Sequence, residues 1–384
     1  MFNYGCHKIE EEDIDAVVKA LRSQYITQGP LVSEFEYQIG SKVNARFVKC
    51  LSSGTAALHC AYQALGLMPD DILWTVSTTF SATASQALAL GAEIDFIDIS
   101  LETGNLCVDH LKEKLQLAEL SGRLPKIITI VHLAGNPALI KEVYELTKRY
   151  KIFLVEDASH ALGAQNIDEK VGSCKYSDIS VFSFHPVKII TTGEGGCITT
   201  NNEELYNKIN LISSQGIERD SRRFDNKDRE EWQYEIQSIG YNYRMSDISA
   251  ALGLSQIKRL DNIVKYRREI MDFYQHHLND DIGNILFPLA NTKTSGHLAI
   301  YRPVKLLTKR EYSELIKKLR NSGVNPQLHY SALHKHPFYQ KIKSWDLPNS
   351  ELYEYTSFSL PIFLDLSLEN VYNITTIINK VFNY

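Results

Sequence analysis

Short apolar runs, separated by segments of helical periodicity, dominate the chain from about residue 50 to residue 200. Strands that alternate with helices in this way are typical of an α/β fold, in which helices cover both faces of a mostly parallel sheet. Ligands of such sheets bind beyond the carboxyl ends of the strands, so residues that directly follow the runs are candidates for a site. The runs are EIDFIDI at 93–99, KIITIVHLAG at 126–135, KIFLVEDA at 151–158 and ISVFSF at 179–184.

The rest of the pattern predicts two domains, because a chain of 384 residues exceeds the usual size of one hydrophobic core. Residues 247–278 have apolar side chains at helical spacing and lead out of the first domain. We therefore expect a large domain at 1–250, which includes an N-terminal arm, and a smaller C-terminal α+β domain at 251–384. Residues 217–232 are almost all polar and predict an exposed loop.

Composition and charge exclude several classes of protein. The formal net charge of −5 gives no general attraction to nucleic acid or to an anionic membrane. The six cysteines are scattered without a CxxC pair, which predicts neither a zinc site nor a disulfide framework. The sequence has no basic N-terminal segment followed by an apolar run, and no uninterrupted apolar stretch of about 18 residues. We expect a cytoplasmic protein with no bound metal.

Lys188 lies a few residues beyond the apolar run at 179–184, which places it near the carboxyl edge of the predicted sheet. A lysine that is desolvated there has a lowered pKa and can form a Schiff base with an aldehyde such as that of pyridoxal phosphate, PLP. A lysine taken alone is more often an exposed surface residue. The hypothesis therefore depends on the residues that accompany Lys188.

Asp157 and His160 lie in the string VEDASHALGA, at the end of the run at 151–158. An ionised Asp157 could pair with the pyridine nitrogen of PLP and keep the ring protonated, so that the ring withdraws electrons from the substrate carbon. His160 could support the ring or its phenolic oxygen, or it could be a packing residue. The alternative for Asp157 and its neighbour Glu156 is that one of them caps the next helix.

Ser53, Gly54 and Thr55 open an alanine-rich helix in the string CLSSGTAALHCAYQAL. Small residues let backbone N–H groups approach an anion, and the start of a helix carries partial positive charge, so this segment is a candidate phosphate site. Ser183, five residues before Lys188, is a further candidate for the phosphate. A simple helix cap would explain Ser53 to Thr55 equally well.

Phe80, in the string STTFSATASQAL, could stack on the pyridine ring, although packing in the core is the more common role of a phenylalanine. The candidates follow one another along the chain as a phosphate loop, an aromatic residue, a carboxylate, and then a serine and a lysine. This order favours a PLP site more strongly than any one of its members does.

These strings resemble the PLP-dependent sugar aminotransferases of the DegT/DnrJ/EryC1/StrS family, and the resemblance extends along essentially the whole chain. It implies the fold of aspartate aminotransferase, PLP-dependent transferase fold type I, with a mostly parallel seven-stranded sheet in the large domain and a smaller C-terminal α+β domain. The strings are ITQGPLVSEFE at 26–36, SSGTAALH at 52–59, VEDASHALGA at 155–164, SFHPVKIITTGEGG at 183–196 and GYNYRMSDISAALGLSQ at 240–256.

The resemblance also implies roles for single residues. Lys188 would be the Schiff-base lysine, Asp157 would pair with the pyridine nitrogen and Phe80 would stack on the ring. The phosphate would be held by Thr55, Ser183 and the amides of the loop. Members of the family form homodimers that complete each site from the neighbouring subunit, and Asn242 would reach the phosphate in the other chain. Pyridoxamine phosphate would arise between the two halves of the reaction.

Within the family, WQYEIQSIGYNYR at 232–244 and QLHYSALHKHPFY at 327–339 are most similar to the branch that acts in pseudaminic acid biosynthesis. That branch aminates a UDP-4-keto-6-deoxy-N-acetylhexosamine at C4, with glutamate as the expected amino donor. The alternative is another nucleotide-linked keto sugar, such as a precursor of bacillosamine or legionaminic acid, or a dTDP-3-keto sugar. The residues expected to contact the substrate are Thr27, Arg219, His329 and Tyr330.

The charged segment 217–232 could close over the nucleotide, with Arg219, Arg222 or Arg223 facing the diphosphate. The alternative is that it is a solvated loop, which is the more common role of a charged segment.

Two rival functions use the same scaffold. A PLP-dependent sugar dehydratase would carry a histidine in place of the Schiff-base lysine, so the presence of Lys188 argues against it. A binding or regulatory protein would have lost Lys188, Asp157 or the phosphate loop, and the sequence keeps all three.

Overall fold

The computed structural model describes residues 2–382 and contains a large α/β domain and a smaller α+β domain. The strands in chain order are β1 (Phe2–Asn3), β2 (Phe47–Leu51), β3 (Ile72–Val76), β4 (Glu93–Ile97), β5 (Ile127–Val131), β6 (Phe153–Asp157), β7 (Ile179–Ser183), β8 (Gly196–Thr200), β9 (Ile217–Glu218), β10 (Glu235–Ile236), β11 (Gly283–Ile285), β12 (Ala299–Pro303), β13 (Val324–Asn325) and β14 (Phe358–Leu360).

Helices cover the sheet and complete the smaller domain. In chain order they are α1 (Glu11–Leu21), α2 (Pro30–Val43), α3 (Gly54–Ala64), α4 (Ala82–Ala89), α5 (Val108–Ser121), α6 (Ile140–Thr147), α7 (Glu203–Ser213), α8 (Asp247–Ile257), α9 (Leu260–His277), α10 (Lys309–Asn321), α11 (Pro337–Gln340), α12 (Pro348–Tyr353) and α13 (Leu368–Phe382). Single 3-10 turns lie at Leu133–Gly135, Lys148–Tyr150, Ser221–Arg223 and Leu333–Lys335.

The central sheet has seven strands in the order β2-β8-β7-β6-β5-β3-β4. The pairs from β7 to β4 are parallel, whereas β8 runs antiparallel to both of its neighbours. The four apolar runs of the sequence form β4, β5, β6 and β7, each a little shorter than the run itself. The prediction of a mostly parallel seven-stranded sheet is therefore confirmed.

Two hydrophobic clusters sandwich this sheet, because successive residues of a strand point to opposite faces. In β7, Val181 packs with α3 and α7, whereas Phe182 packs with α2, α8 and the first half of α9. The strands are almost wholly buried. Because both faces are covered, their sequences are continuous apolar runs and do not alternate between apolar and polar residues.

The smaller domain is built on a three-stranded antiparallel sheet in the order β11-β12-β14, which packs with α10 and α13 in a cluster of its own. The segment 247–278 is helical, as its spacing predicts, and forms the two helices α8 and α9. The clusters divide within α9, since Val264 packs with the large domain and Ile270 with the small one. The domain boundary expected between residues 250 and 251 stays a prediction.

The polar segment at 217–232 is mostly exposed, as the sequence predicts. It contains β9, which pairs with β10, and the 3-10 turn at Ser221–Arg223. Phe224 is the exception, because its side chain is only 1% exposed.

None of the helices within residues 2–382 has the length and apolar character that a membrane span requires. Over the same residues, no three His, Cys, Asp or Glu side chains lie together in a way that could hold a metal ion.

Replacement of Phe35 by alanine tests the packing of α2 on the sheet. The side chain is fully buried and its ring centroid lies 5.3 Å from that of Phe184, so we expect Phe35→Ala to lower the free energy of unfolding by about 3–5 kcal/mol. Tyr37, on the same helix, is 73% exposed, and Tyr37→Ala should change that free energy by less than about 0.5 kcal/mol. Urea denaturation measures both variants, and equal effects would contradict the packing described.

Candidate active site

A cavity of about 380 Å³ opens at the carboxyl edge of the central sheet and extends to the small domain. Cavities of this size are large enough to bind a small organic molecule. Ten residues expected from the sequence to form the site line it: Ser53, Gly54, Thr55, Phe80, Asp157, His160, Ser183, Lys188, His329 and Tyr330. The sheet therefore brings together residues that lie up to 277 positions apart in the chain, from Ser53 to Tyr330.

Lys188 lies in the loop that links β7 to β8, where its backbone amide donates a hydrogen bond to the carbonyl of His185 at 2.8 Å. Its Nζ has no hydrogen-bond or ion-pair partner among residues 2–382 and lines the cavity. Burial lowers the pKa of Lys188 to about 8, although the charge of Asp157 acts in the opposite direction. The amine in the cavity therefore loses its proton more readily than an exposed lysine does.

Asp157 is the last residue of β6 and is 5% exposed. Its Oδ2 accepts a hydrogen bond from Thr83 Oγ1 at 2.7 Å, and its Oδ1 accepts one from the Ser159 amide at 3.2 Å. Both bonds fix the orientation of the carboxylate. No helix begins directly after Asp157 in the structure, so the alternative that Asp157 or Glu156 caps the next helix is wrong.

Glu156 points to the opposite face of the sheet, as the alternation along a strand requires. His132 Nδ1 accepts a hydrogen bond from the Ala138 amide at 2.9 Å, so His132 Nε2 carries the proton and donates to Glu156 Oε2 at 2.8 Å. Burial would raise the pKa of Glu156, but the hydrogen bonds from His132, Ser177 and Ser180 outweigh burial and lower it. Glu156 therefore stabilises the fold behind the cavity, and Asp157 faces into the cavity.

The start of α3 provides an anion site. Ser53 caps the helix, because its Oγ accepts a hydrogen bond from the Ala56 amide at 3.0 Å. The amides of Gly54 and Thr55 have no partner among residues 2–382, and the helix dipole adds partial positive charge at this point. A Cβ atom at Gly54 would lie 2.9 Å from Cβ of Ser183, so only glycine lets α3 approach β7 this closely.

His160 and Tyr330 form a polar contact across the two domains, with 3.0 Å between His160 Nε2 and Tyr330 Oη. The His160 ring also lies 4.4 Å from the ring of His297, centroid to centroid. Burial, together with the charge of Lys188 and the nearby His329, keeps the pKa of His160 well below its usual value. His160 is consequently an uncharged imidazole at neutral pH.

Phe80 is 55% exposed, although it is a large apolar residue in the wall of the cavity. Its ring centroid lies 6.2 Å from that of Tyr330. The alternative that Phe80 packs in the core is therefore wrong, and its exposed ring is available to a planar ligand.

Three residues expected at the site lie outside this cavity. Thr27 is exposed and forms an isolated bridge with Ser246. Arg219 is exposed, and its guanidinium lies 5.7 Å from the ring centroid of Tyr234. Asn242 is exposed and bridges to Ser214. Their expected roles stay predictions, and the role of Asn242 concerns a second chain.

Sequence reasoning missed Thr83 and Tyr4. Thr83 holds Asp157 and lies three residues after Phe80, whose carbonyl accepts a hydrogen bond from the Thr83 amide at 3.2 Å. A single turn therefore connects Thr83 to a residue that the sequence did identify, and this short separation is a usable signal. Tyr4 lines the cavity from the N-terminal arm, and no local pattern in the sequence connects it to residues more than 300 positions away.

These features fit PLP, whose parts need different partners. The unpartnered Lys188 amine suits the aldehyde, and the Asp157 carboxylate suits the pyridine nitrogen. The free amides of Gly54 and Thr55 suit the phosphate, and Phe80 offers a flat surface to the ring. The fold and the cavity together define a PLP-dependent transferase of fold type I.

Comparisons with known proteins identify the family. The sequence profile of the DegT/DnrJ/EryC1/StrS aminotransferase family matches residues 7–379. A Campylobacter jejuni protein named UDP-4-amino-4,6-dideoxy-N-acetyl-beta-L-altrosamine transaminase is 37% identical over 374 residues, which are 96% of this chain and 94% of the relative. A Helicobacter pylori protein of the same name is 31% identical over 386 residues, 99% of this chain and 98% of the relative.

Solved structures agree. Helicobacter pylori PseC, described as an aminotransferase involved in the biosynthesis of pseudoaminic acid, superposes with a TM-score of 0.89 at 30% identity and covers 100% of this chain and 99% of its own. Streptococcus pneumoniae Spr1654 in its PLP form superposes with a TM-score of 0.88 at 26% identity, over 99% of this chain and 98% of its own. The chain belongs to the DegT/DnrJ/EryC1/StrS aminotransferase family.

The lowered pKa of Lys188 predicts a dependence of stability on pH in the cofactor-free protein. The pKa falls from 10.5 to about 8 on folding, so between these values the unfolded chain binds more protons and stability rises with pH. The cost of burying the amine is present in full below about pH 8. We expect Lys188→Met to raise the free energy of unfolding at pH 7 by up to about 3 kcal/mol, and this gain should shrink as the pH rises towards 10.

Urea denaturation at a series of pH values measures this gain. Lys112→Met, which replaces an exposed lysine of α5, is the matched control and should show no such trend. A gain for Lys188→Met that does not depend on pH would contradict the lowered pKa.

Thr83→Val removes the hydroxyl that donates to Asp157 and keeps the shape of the side chain. A hydrogen bond to a charged group contributes about 1.5–3 kcal/mol, so we expect the dissociation constant of PLP to rise at least about tenfold. Titration of the cofactor-free protein with PLP, followed by absorbance, measures this constant. Thr147→Val, which removes a buried hydroxyl that donates to the Val143 carbonyl in α6, should leave it unchanged.

Proposed function

We propose that this aminotransferase uses PLP to transfer an amino group from glutamate to the C4 ketone of a UDP-4-keto-6-deoxy-N-acetylhexosamine, as a step of pseudaminic acid biosynthesis. The proposed amino transfer is supported above all by one observation. The Lys188 amine, the Asp157 carboxylate and the free amides of α3 lie together in one cavity. The substrate is supported by the names of the Campylobacter jejuni and Helicobacter pylori relatives and by the description of PseC.

PLP, when bound, supplies an electron-withdrawing ring on which the amino group is held between donor and acceptor. The residues of this chain bind and orient the cofactor and move the proton. Asp157, which accepts a hydrogen bond from Thr83, would pair with the ring nitrogen, and the start of α3 with Ser183 would hold the phosphate. Phe80, in the wall of the cavity, would stack on the ring.

Lys188 is the proton carrier. An amine with a pKa of about 8 is partly uncharged near neutral pH, so its Nζ can accept a proton and return it without a large penalty in either direction. The same amine serves the donor and the acceptor in turn. Because the enzyme would retain the amino group between the two half-reactions, ping-pong kinetics are expected.

The remaining parts of the proposal concern assembly. We propose a cytoplasmic homodimer in which Asn242 of one chain contacts the phosphate site of the other, consistent with its exposed position. We also propose that segment 217–232 lies over the nucleotide. Arg219 makes no ion pair among residues 2–382, whereas Arg222 and Arg223 pair with Asp220, so Arg219 is the arginine available to a diphosphate.

The experiment uses the purified protein with PLP, glutamate and a panel of UDP-4-keto-6-deoxy-N-acetylhexosamine epimers. We expect 2-oxoglutarate and one 4-amino sugar to form, detected by mass spectrometry. Lys188→Ala should lower kcat by about 10³-fold or more, because it removes both the nucleophile and the proton carrier. Lys112→Ala is the control for loss of a lysine and should retain full activity.

Two outcomes would contradict the proposal at different levels. Turnover of a dTDP-linked or other keto sugar in place of every UDP epimer would exclude the proposed acceptor and keep the amino transfer. Equal activity of Lys188→Ala and the wild type would exclude the assignment of the cofactor site.

A further inference from the structure

The cavity wall that the small domain supplies is formed by residues 329–332, here called the wall segment. Its first two residues, His329 and Tyr330, line the cavity. The wall segment lies in neither a helix nor a strand. It therefore lacks the regular backbone hydrogen bonds that fix a helix or a strand, and the position of its side chains depends on contacts with other elements.

The side chains of the wall segment are uncharged at neutral pH. Burial and the charge of Lys188 lower the pKa of His329 to about 4. Burial raises the pKa of Tyr330, which keeps its proton. The ring of His329 is held by Ser359 Oγ, 2.8 Å from its Nδ1, and by the ring of Tyr4, with 4.8 Å between the ring centroids. Neutral groups bind a ligand through hydrogen bonds, which weaken steeply when the distance or the angle is wrong, so binding depends on where the wall segment lies.

Glu354 fixes the end of the wall segment. It directly follows α12 and is 7% exposed. Its Oε1 accepts a hydrogen bond from the Ala332 amide at 2.6 Å and another from Ser331 Oγ. It forms no ion pair among residues 2–382. Burial of a carboxyl group is costly unless the group is hydrogen-bonded, so these two bonds determine where Glu354 lies, and they hold the two residues that follow Tyr330.

Helix α12 also fixes the start of the wall segment and is itself anchored to the large domain. Tyr353, its last residue, is fully buried and donates a hydrogen bond from Oη to the carbonyl of His329 at 2.9 Å. At the start of the helix, Asp98 accepts hydrogen bonds from the amides of Asn349 and Ser350 at 2.9 Å and 2.8 Å. Asp98 directly follows β4, so α12 connects the edge of the central sheet to both ends of the wall segment.

We propose that Glu354 is a positioning residue for the acceptor sugar, because it sets where His329 and Tyr330 lie in the cavity. The inference rests on the proposed function and on the expected contact of these two side chains with the substrate. Glu354 itself is not among the residues that line the cavity, so it acts only through the wall segment. Without it, the buried Ala332 amide has no acceptor, and the wall segment has to shift to satisfy that amide.

The test compares Glu354→Leu with Glu354→Gln in the full-length holoenzyme, with the two half-reactions measured separately. Leucine removes the acceptor, and a buried donor left without a partner corresponds to about a 5- to 100-fold change, so KM for the UDP-4-keto sugar should rise within that range. Glutamine retains an oxygen at the position of Oε1 and should raise this KM less than about threefold. In both variants, kcat per PLP-loaded site, the dissociation constant of PLP and the rate of the half-reaction with glutamate should change less than about twofold.

Two controls separate positioning from a loss of stability. Glu351→Leu removes a carboxylate of the same helix that pairs with Lys335 at the surface, and it should leave KM for the sugar unchanged. Phe35→Ala lowers the stability of the large domain outside the cavity and should also leave this KM unchanged. Thermal unfolding of every variant shows how much stability each one loses.

Ser331→Ala is a milder second variant, which tests the proposal even if Glu354→Leu does not fold. It removes one of the two donors to Glu354 and leaves the bond from the Ala332 amide in place. One hydrogen bond corresponds to about a 2- to 10-fold change in binding, so KM for the sugar should rise by about that factor.

An unchanged KM for the sugar in Ser331→Ala and in folded Glu354→Leu would overturn the inference. An equal rise in KM for Glu354→Gln and Glu354→Leu would also overturn it, because glutamine retains the acceptor oxygen. A loss of PLP affinity or a slower half-reaction with glutamate, by the same factor as the rise in KM, would assign Glu354 to the fold as a whole and not to the sugar. A wild type that reacts with glutamate but with no keto sugar overturns the proposed function together with this inference, and that result is recognised because the wild type itself is then inactive towards the sugar.

Discussion

Lys188 holds its amine in a cavity that offers it no hydrogen-bond partner among the described residues, and this desolvation governs the chemistry that the site can perform. An amine in water would be almost fully protonated at neutral pH, and it could be neither a nucleophile nor an acceptor of protons. Burial lowers its pKa to about 8, while the charge of Asp157 limits the fall. The balance leaves both protonation states accessible, as a residue that takes and returns a proton requires.

The sheet provides that balance through its topology. β6 and β7 are adjacent and parallel, with Asp157 opposite Val181, so their carboxyl ends meet on the same edge. Asp157 is the last residue of one strand, and the loop that carries Lys188 follows the other. The antiparallel strand β8 then returns the chain beside β2, which leads directly into the start of α3. The amine, the carboxylate and the anion site therefore lie at one edge of the sheet.

The two domains contribute groups of different character to the cavity. The large domain supplies the amine, the carboxylate and the helix start, all of which carry charge or partial charge. The small domain and the N-terminal arm supply Tyr4, His329 and Tyr330, which are neutral at pH 7. The two sets of residues are connected by the contact between His160 Nε2 and Tyr330 Oη, which lie 3.0 Å apart. The cavity thus has walls of different electrostatic character, built from different parts of the fold.

The sequence by itself determined four of the seven strands of the central sheet, β4 to β7. Through the rule that parallel strands present their ligands at their carboxyl ends, it also indicated that Lys188, Asp157 and Ser183 lie at that edge. These strands could be predicted because a strand that is buried on both faces consists of consecutive apolar residues, which is a local signal in the sequence. Only the tertiary structure decided that Asp157 and not Glu156 faces the cavity, that Thr83 holds Asp157, and that Tyr4 reaches His329. These outcomes depend on which face of a strand is turned inward and on contacts between residues far apart in the chain, and no local pattern of hydrophobic and polar residues specifies either one.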